Sequence, residues 1–193
     1  ATATTVTFDT KNVGTAKTVT FGGIIMSGDV TLTNYTLGGT TSLTTTAAIT
    51  AAPLTITGAN TSVVYDATTQ TNVAATVTGL IGAETVTISS YGSGRNVGNY
   101  ADTLSVTAGA NTLLSNYAIT QTNGALTITP YQLSFGTNGG PGPRIVGSAN
   151  DKVYNADTTA TGSISVLGLL GGDTLTATAT TVTFDTKNVG TAK

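Results

Sequence analysis

Side chains able to do acid–base or metal chemistry are sparse in this chain. There is one glutamate, Glu84, beside eight aspartates, and histidine and cysteine are absent. Without His or Cys, the usual nucleophile–base pairings and the common zinc sites lack their members. Carboxylate chemistry remains: Glu84 with an Asp, or two Asp, flanking a glycosidic bond, or oxygen ligation of calcium. Glu84 and Asp173 stand out because they occupy matching places in GAET (82–85) and GGDT (171–174). No D-x-D-x-D-G spacing surrounds either one, so a turn role is favoured over calcium. Neither stretch is a phosphate loop, since the spacing and the terminal Lys are missing. We therefore expect no catalytic, cofactor-binding or metal-binding residue, and no enzyme.

Other residues recur in pairs. Tyr65 matches Tyr154, and Tyr35 matches Tyr117. Recurrence at equivalent places predicts core or corner tyrosines with the hydroxyl bonded at the edge, with carbohydrate stacking as the sharper alternative. Asn12, Asn96 and Asn188 each precede Val-Gly and predict tight turns with Gly at positive φ. An isopeptide bond from Lys152 would suit a load-bearing fibre, but Val63 stands at the matching place, so it cannot be common to both copies.

The elements that must position these residues are strands. Threonine is the most frequent residue, glycine contributes 24, and charged residues make up 8%. That is an alphabet of β-formers and turn-formers. Mean hydropathy of +0.19 with low charge predicts a folded chain. Net charge is −2, with seven scattered Lys and Arg, which excludes a phosphate-neutralising patch and makes nucleic acid an improbable partner. Apolar residues alternate with Thr or Ser at Val6 and Phe8, Val19 and Phe21, Leu54 and Ile56, Val86 and Ile88, Leu104 and Val106, Leu126 and Ile128, and Leu133 and Phe135. Period two predicts half-buried strands, and no stretch carries a 3.6-residue stripe. There is neither an 18-residue apolar run nor a charged start followed by a short apolar core.

Residues 1–17, ATATTVTFDTKNVGTAK, recur letter for letter as 177–193, offset by 176 residues. The chain thus reads as one period plus 17 residues of the next, with both ends expected to be internal to a longer array. A weaker repeat divides the period. GLLGGDT (168–174) matches GLIGAET (79–85), VYNADTT (153–159) matches VYDATTQ (64–70), KNVG (187–190) matches RNVG (95–98), and LTNYTL (32–37) matches LSNYAI (114–119). Two related modules therefore alternate. Residues 1–52 are the C-terminal part of a module A, residues 53–135 a complete module B, and residues 136–193 the N-terminal part of the next module A. The expected fold class is all-β: tandem small β-sandwiches (Ig-like) or β-grasp-like modules in an extended rod. Pro53 and Pro130 each sit between two alternating runs and would let one module's last strand pass directly into the next.

These motifs resemble the YDG and MBG modules found in tandem in very large Gram-negative adhesins, including filamentous-haemagglutinin-like proteins. KVYNADTTAT, LGLLGGDTLT, FDTKNVGTAKTV and LTNYTL carry the YDG likeness of module A. VYDATT, TGLIGAETVT, RNVGNY, SNYAIT and ALTITP carry the MBG likeness of module B. VYNADTT lacks the Gly of the YDG triplet, and module B has VYDAT. The resemblance implies a secreted, extracellular adhesin or fibre stalk serving cell adhesion, biofilm or filament formation. Its partners would be neighbouring repeats or head-to-tail copies, with a host or bacterial surface receptor in addition. A receptor- or glycan-binding module is the alternative, with the loop Gly136 to Arg144 as the place for a site.

Overall fold

The computed structural model describes residues 1–28, 34–36, 38, 39 and 42–191. LTNYTL and Lys193 therefore lie partly or wholly outside the described residues. The strands run in chain order as β1 (Thr5–Phe8), β2 (Gly14–Gly22), β3 (Leu43–Ile49), β4 (Ala52–Gly58), β5 (Asn60–Val64), β6 (Gln70–Thr71), β7 (Ala75–Thr78), β8 (Val86–Ser89), β9 (Ser93–Gly94), β10 (Gly98–Ala101), β11 (Ser105–Ala108), β12 (Tyr117–Thr122), β13 (Ala125–Thr129), β14 (Ser134–Phe135), β15 (Arg144–Ala149) and β16 (Gly162–Leu167). Short 3-10 turns occupy Leu114–Asn116 and Leu170–Gly172. The protein is all-β, as the alternating pattern predicts. Among the described residues no helix is long and apolar enough to cross a membrane.

The chain forms two compact units. One comprises Ala1–Ala59, Ala74–Ser90 and Thr103–Gly124; the other comprises Asn60–Val73, Tyr91–Asp102 and Ala125–Lys193. The first unit holds the sheets β1-β2-β3, β12-β4-β7 and β11-β8. Its core is built on β4, where strict alternation buries Leu54 and Ile56 completely and leaves Thr55 and Thr57 exposed. Each such aliphatic side chain contributes roughly 2 kcal/mol by leaving water. Pro53 is tolerated in this central strand because its pairing with β7 begins only at Thr55. On the other side it lies opposite Ala118 of β12.

The second unit holds β10-β13-β5, β6-β9 and β14-β15-β16. Here β13 buries Leu126 and Ile128 by the same alternation. β12 pairs with β4 and β13 with β5, both in parallel. Alternation looks the same for either strand direction, so these parallel pairs are invisible in the sequence.

Three alternating apolar residues do not reach a core. Val6 and Phe8 are 56% and 42% exposed and Phe135 is 87% exposed. β1 lies at the edge of its sheet and β14 is two residues long, so neither strand has a layer over it.

Two glycine positions are decided by close approach. Gly79, at φ +105°, lies where a Cβ would come 2.2 Å from the Pro53 carbonyl oxygen. Its counterpart Gly168, at φ +69°, lies where a Cβ would come 2.8 Å from the Gly142 carbonyl oxygen. Both G-L-[IL]-G motifs thus press their first glycine against the chain entering the module's first strand. The Asn-Val-Gly turns differ from expectation, since none of Gly14, Gly98 and Gly190 has positive φ. Asn12 accepts a hydrogen bond from Asn116, and the Asn96 carbonyl accepts one from the Tyr100 hydroxyl at 2.8 Å, so these turns are held from outside.

Candidate functional site

The matched loops assemble where the two module types adjoin. In the first unit, Lys11 opens K-N-V-G of module A and lies 3.9 Å from Glu84 in G-A-E-T of module B. Asn116 clamps the same loop: its Oδ1 accepts the Val13 N–H at 2.9 Å, and its Nδ2 donates to Asn12 Oδ1 at 3.1 Å. The Tyr117 hydroxyl donates to Glu84 and accepts the Ile81 N–H at 3.1 Å. Tyr117 is buried, so its hydroxyl anchors the G-A-E-T loop from below.

The second unit repeats this pairing with the module types exchanged. Arg95 opens R-N-V-G of module B and lies 3.7 Å from Asp173 in G-G-D-T of the following module A. Arg95 Nε also donates to the Ala67 carbonyl at 2.8 Å, and the Tyr65 hydroxyl donates to Asp173 Oδ2 at 2.5 Å. At both junctions, then, the basic residue of [KR]-N-V-G faces the carboxylate of G-[GA]-[DE]-T. A cleft of about 590 Å³ adjoins the second pair, lined in part by Tyr65, Tyr131, Leu133, Leu170 and Leu175. One of about 460 Å³ adjoins the first, lined in part by Val13, Ile49, Ile81 and Tyr117.

Glu84 and Asp173 do sit in turns, as expected, but their carboxylates look outward to the neighbouring module. Lys11 and Arg95 went unrecognised as their partners. The signal was present in the sequence, since both the basic and the acidic member recur at matched places. Among the described residues no group of three carboxylates, the minimum for a metal cage, comes together. The tyrosine expectation holds for Tyr117 and Tyr65, whose hydroxyls are bonded. Tyr35 and Tyr154 are 71% and 56% exposed and have no described hydroxyl partner.

Half-exposed ion pairs add little stability alone; their value lies in fixing which loops face each other. Charge reversal tests this. Arg95→Asp and Asp173→Arg should each loosen the junction, and the double exchange should restore it, with a coupling of about 0.5–1 kcal/mol at low salt in a double-mutant cycle. Alkali provides a second test. The hydrogen bond to Asp173 raises the Tyr65 pKa above the usual tyrosine value, and that to Glu84 raises Tyr117. A raised folded pKa means the folded state holds its proton longer, so stability is fully present below the ordinary tyrosine pKa near 10 and is lost as pH rises through the folded value. Phenolate absorbance should show two tyrosines titrating late, and Tyr65→Phe should remove one of them.

The loop Gly136 to Arg144 is organised around its own arginine. Arg144 is 9% exposed, and its guanidinium donates to the Thr137 carbonyl at 3.1 Å and the Gly142 carbonyl at 2.8 Å. Lys152 pairs with Asp157 at 2.6 Å, donates to the Thr159 carbonyl at 2.7 Å, and lies 5.8 Å from the centre of the Phe184 ring.

Residues 143–193 match the YDG domain family. Comparison with curated proteins and with solved structures found no match. The third place of the YDG triplet falls on Ala67 and Ala156, and both are left-handed, at φ +63° and +67°. Asp66 and Asn155 at the middle place each accept the backbone N–H two residues on, from Thr68 and Asp157. Glycine suits this geometry because a Cβ strains it. Ala67→Gly and Ala156→Gly should each stabilise the protein by about 0.5–1 kcal/mol in urea unfolding.

Proposed function

We propose that this chain is a segment of the shaft of a secreted, cell-surface tandem-repeat adhesin, in which modules A and B alternate with boundaries near 52/53 and 135/136. The carrying observation is the shared junction: Lys11–Glu84 where A meets B, and Arg95–Asp173 where B meets A. A pairing indifferent to which module comes first lets one kind of joint serve a whole array. It would hold successive modules at a constant pitch as an extended rod, the property needed to carry a binding tip away from a cell. The 176-residue repeat and the YDG match over 143–193 support the same reading. The MBG likeness of module B extends it.

A binding role is the second reading, favoured by the tyrosine-lined cleft at Tyr65 and Tyr131. Two measurements separate these. The complete gene should encode further copies at the 176-residue period, and small-angle scattering of arrays of increasing length should give a maximum dimension that grows linearly with copy number. A gene holding a single period would refute the shaft. Glycan or host-surface binding by the repeats that disappears on deleting 136–144 or on Tyr131→Ala would establish the binding module instead.

A further inference from the structure

The four residues T-V-T-F occur at 5–8 and again at 181–184, and the two copies use opposite edges of the strand. In β1, Thr5–Phe8 pair without slip with Val19–Gly22, and the Asp9 N–H donates to the Thr18 carbonyl at 2.9 Å. Alternation in an antiparallel ladder then turns the backbone groups of Thr5 and Thr7 toward β2 and those of Val6 and Phe8 away. Among the described residues nothing pairs with that outer edge. In the second copy Thr183 lies opposite Thr159 in an isolated antiparallel bridge. The Ala160 N–H donates to the Val182 carbonyl at 2.9 Å, and the Phe184 N–H donates to the Thr158 carbonyl at 2.8 Å. Val182 and Phe184 are the counterparts of Val6 and Phe8. The edge left bare in β1 is therefore the edge occupied here, and Thr183, counterpart of Thr7, turns its backbone groups outward with no described partner.

We propose that the outer edge of residues 181–184 is a docking site for β2 of a second copy of this chain, with 181–184 replacing that copy's β1 on Val19–Gly22. Residues 177–193 are identical to 1–17, so the incoming strand reproduces every side chain of the outgoing one and the exchange carries no mismatch. What it adds is continuity. Residues 158–160, 181–184, β2 and β3 become one sheet in which both edges of T-V-T-F are paired. The contact is heterologous, a C-terminal edge on an N-terminal strand, so it propagates head to tail. Its meaning in the whole protein rests on the tandem-array reading. Its failure would leave that reading standing, because copy number in the gene decides it separately.

The test uses the full chain, with sedimentation velocity over a hundredfold range of concentration and hydrogen exchange read at the Thr183 amide. Wild type should grow with concentration while the Thr183 amide becomes protected. Thr183→Pro removes only the outward N–H and spares the bonds of Val182 and Phe184, so it should abolish the growth. Thr7→Pro removes an N–H from the β1–β2 ladder, freeing β2, and should move the onset to roughly tenfold lower concentration. A monodisperse wild type with an unprotected Thr183 amide at every concentration overturns the proposal. So does undiminished assembly of Thr183→Pro, or weaker assembly of Thr7→Pro than of wild type. The wild-type exchange measurement stands even where a proline variant fails to fold.

Discussion

Asp102→Ala should cost roughly 3–5 kcal/mol, the largest effect of any single polar substitution in the chain. Asp102 is 2% exposed, and Asn72 beside it is 1% exposed. The Asn72 Nδ2 donates to both Asp102 oxygens, at 3.1 and 3.0 Å, and the Gly92 N–H donates to Oδ1 at 2.7 Å. Thr61 closes the network by donating to Asn72 Oδ1 at 2.7 Å, and the Asn72 N–H reaches the Gly92 carbonyl at 2.9 Å. Removing the carboxylate strands two buried donors where water cannot replace it. Urea unfolding measures the loss. Asn72→Ala added to Asp102→Ala should cost much less than the sum of the two single changes, because the donor left unpaired is then gone. Strict additivity would mean that the network carries no coupling energy.

Gly79→Ala should destabilise by about 3 kcal/mol, while Gly82→Ala, three residues on, should cost about 1 kcal/mol. Both glycines have positive φ, at +105° and +62°. They differ in space. A Cβ at Gly79 meets the Pro53 carbonyl oxygen at 2.2 Å and the Leu54 Cα at 3.3 Å, whereas a Cβ at Gly82 meets nothing within 4 Å. Backbone cannot swing aside as a side chain can, so the start of β4 must move, and it carries the fully buried Leu54 and Ile56. Equal losses at the two positions would show that conformational strain alone sets the cost.

The strands of the core were legible because their alternation is local. Leu54, Ile56, Leu126 and Ile128 are buried where period two places them. Asn72 and Asp102 were not legible, because isolated polar residues 30 positions apart become a network only when the loops after β6 and β10 meet. The junction pairs lay between these cases. Their recurrence was visible, but that Lys11 faces Glu84 and Arg95 faces Asp173 needed the fold. The two copies of T-V-T-F mark the boundary most sharply. Sequence alone determined that both are competent to be strands, since β-branched and aromatic residues in alternation favour an extended backbone wherever they stand. Residues 5–8 form a ladder on β2, yet residues 181–184 make a single bridge to Thr159. A strand's hydrogen bonds belong to its neighbours, so only tertiary structure decides which edge of an identical segment is paired and with what.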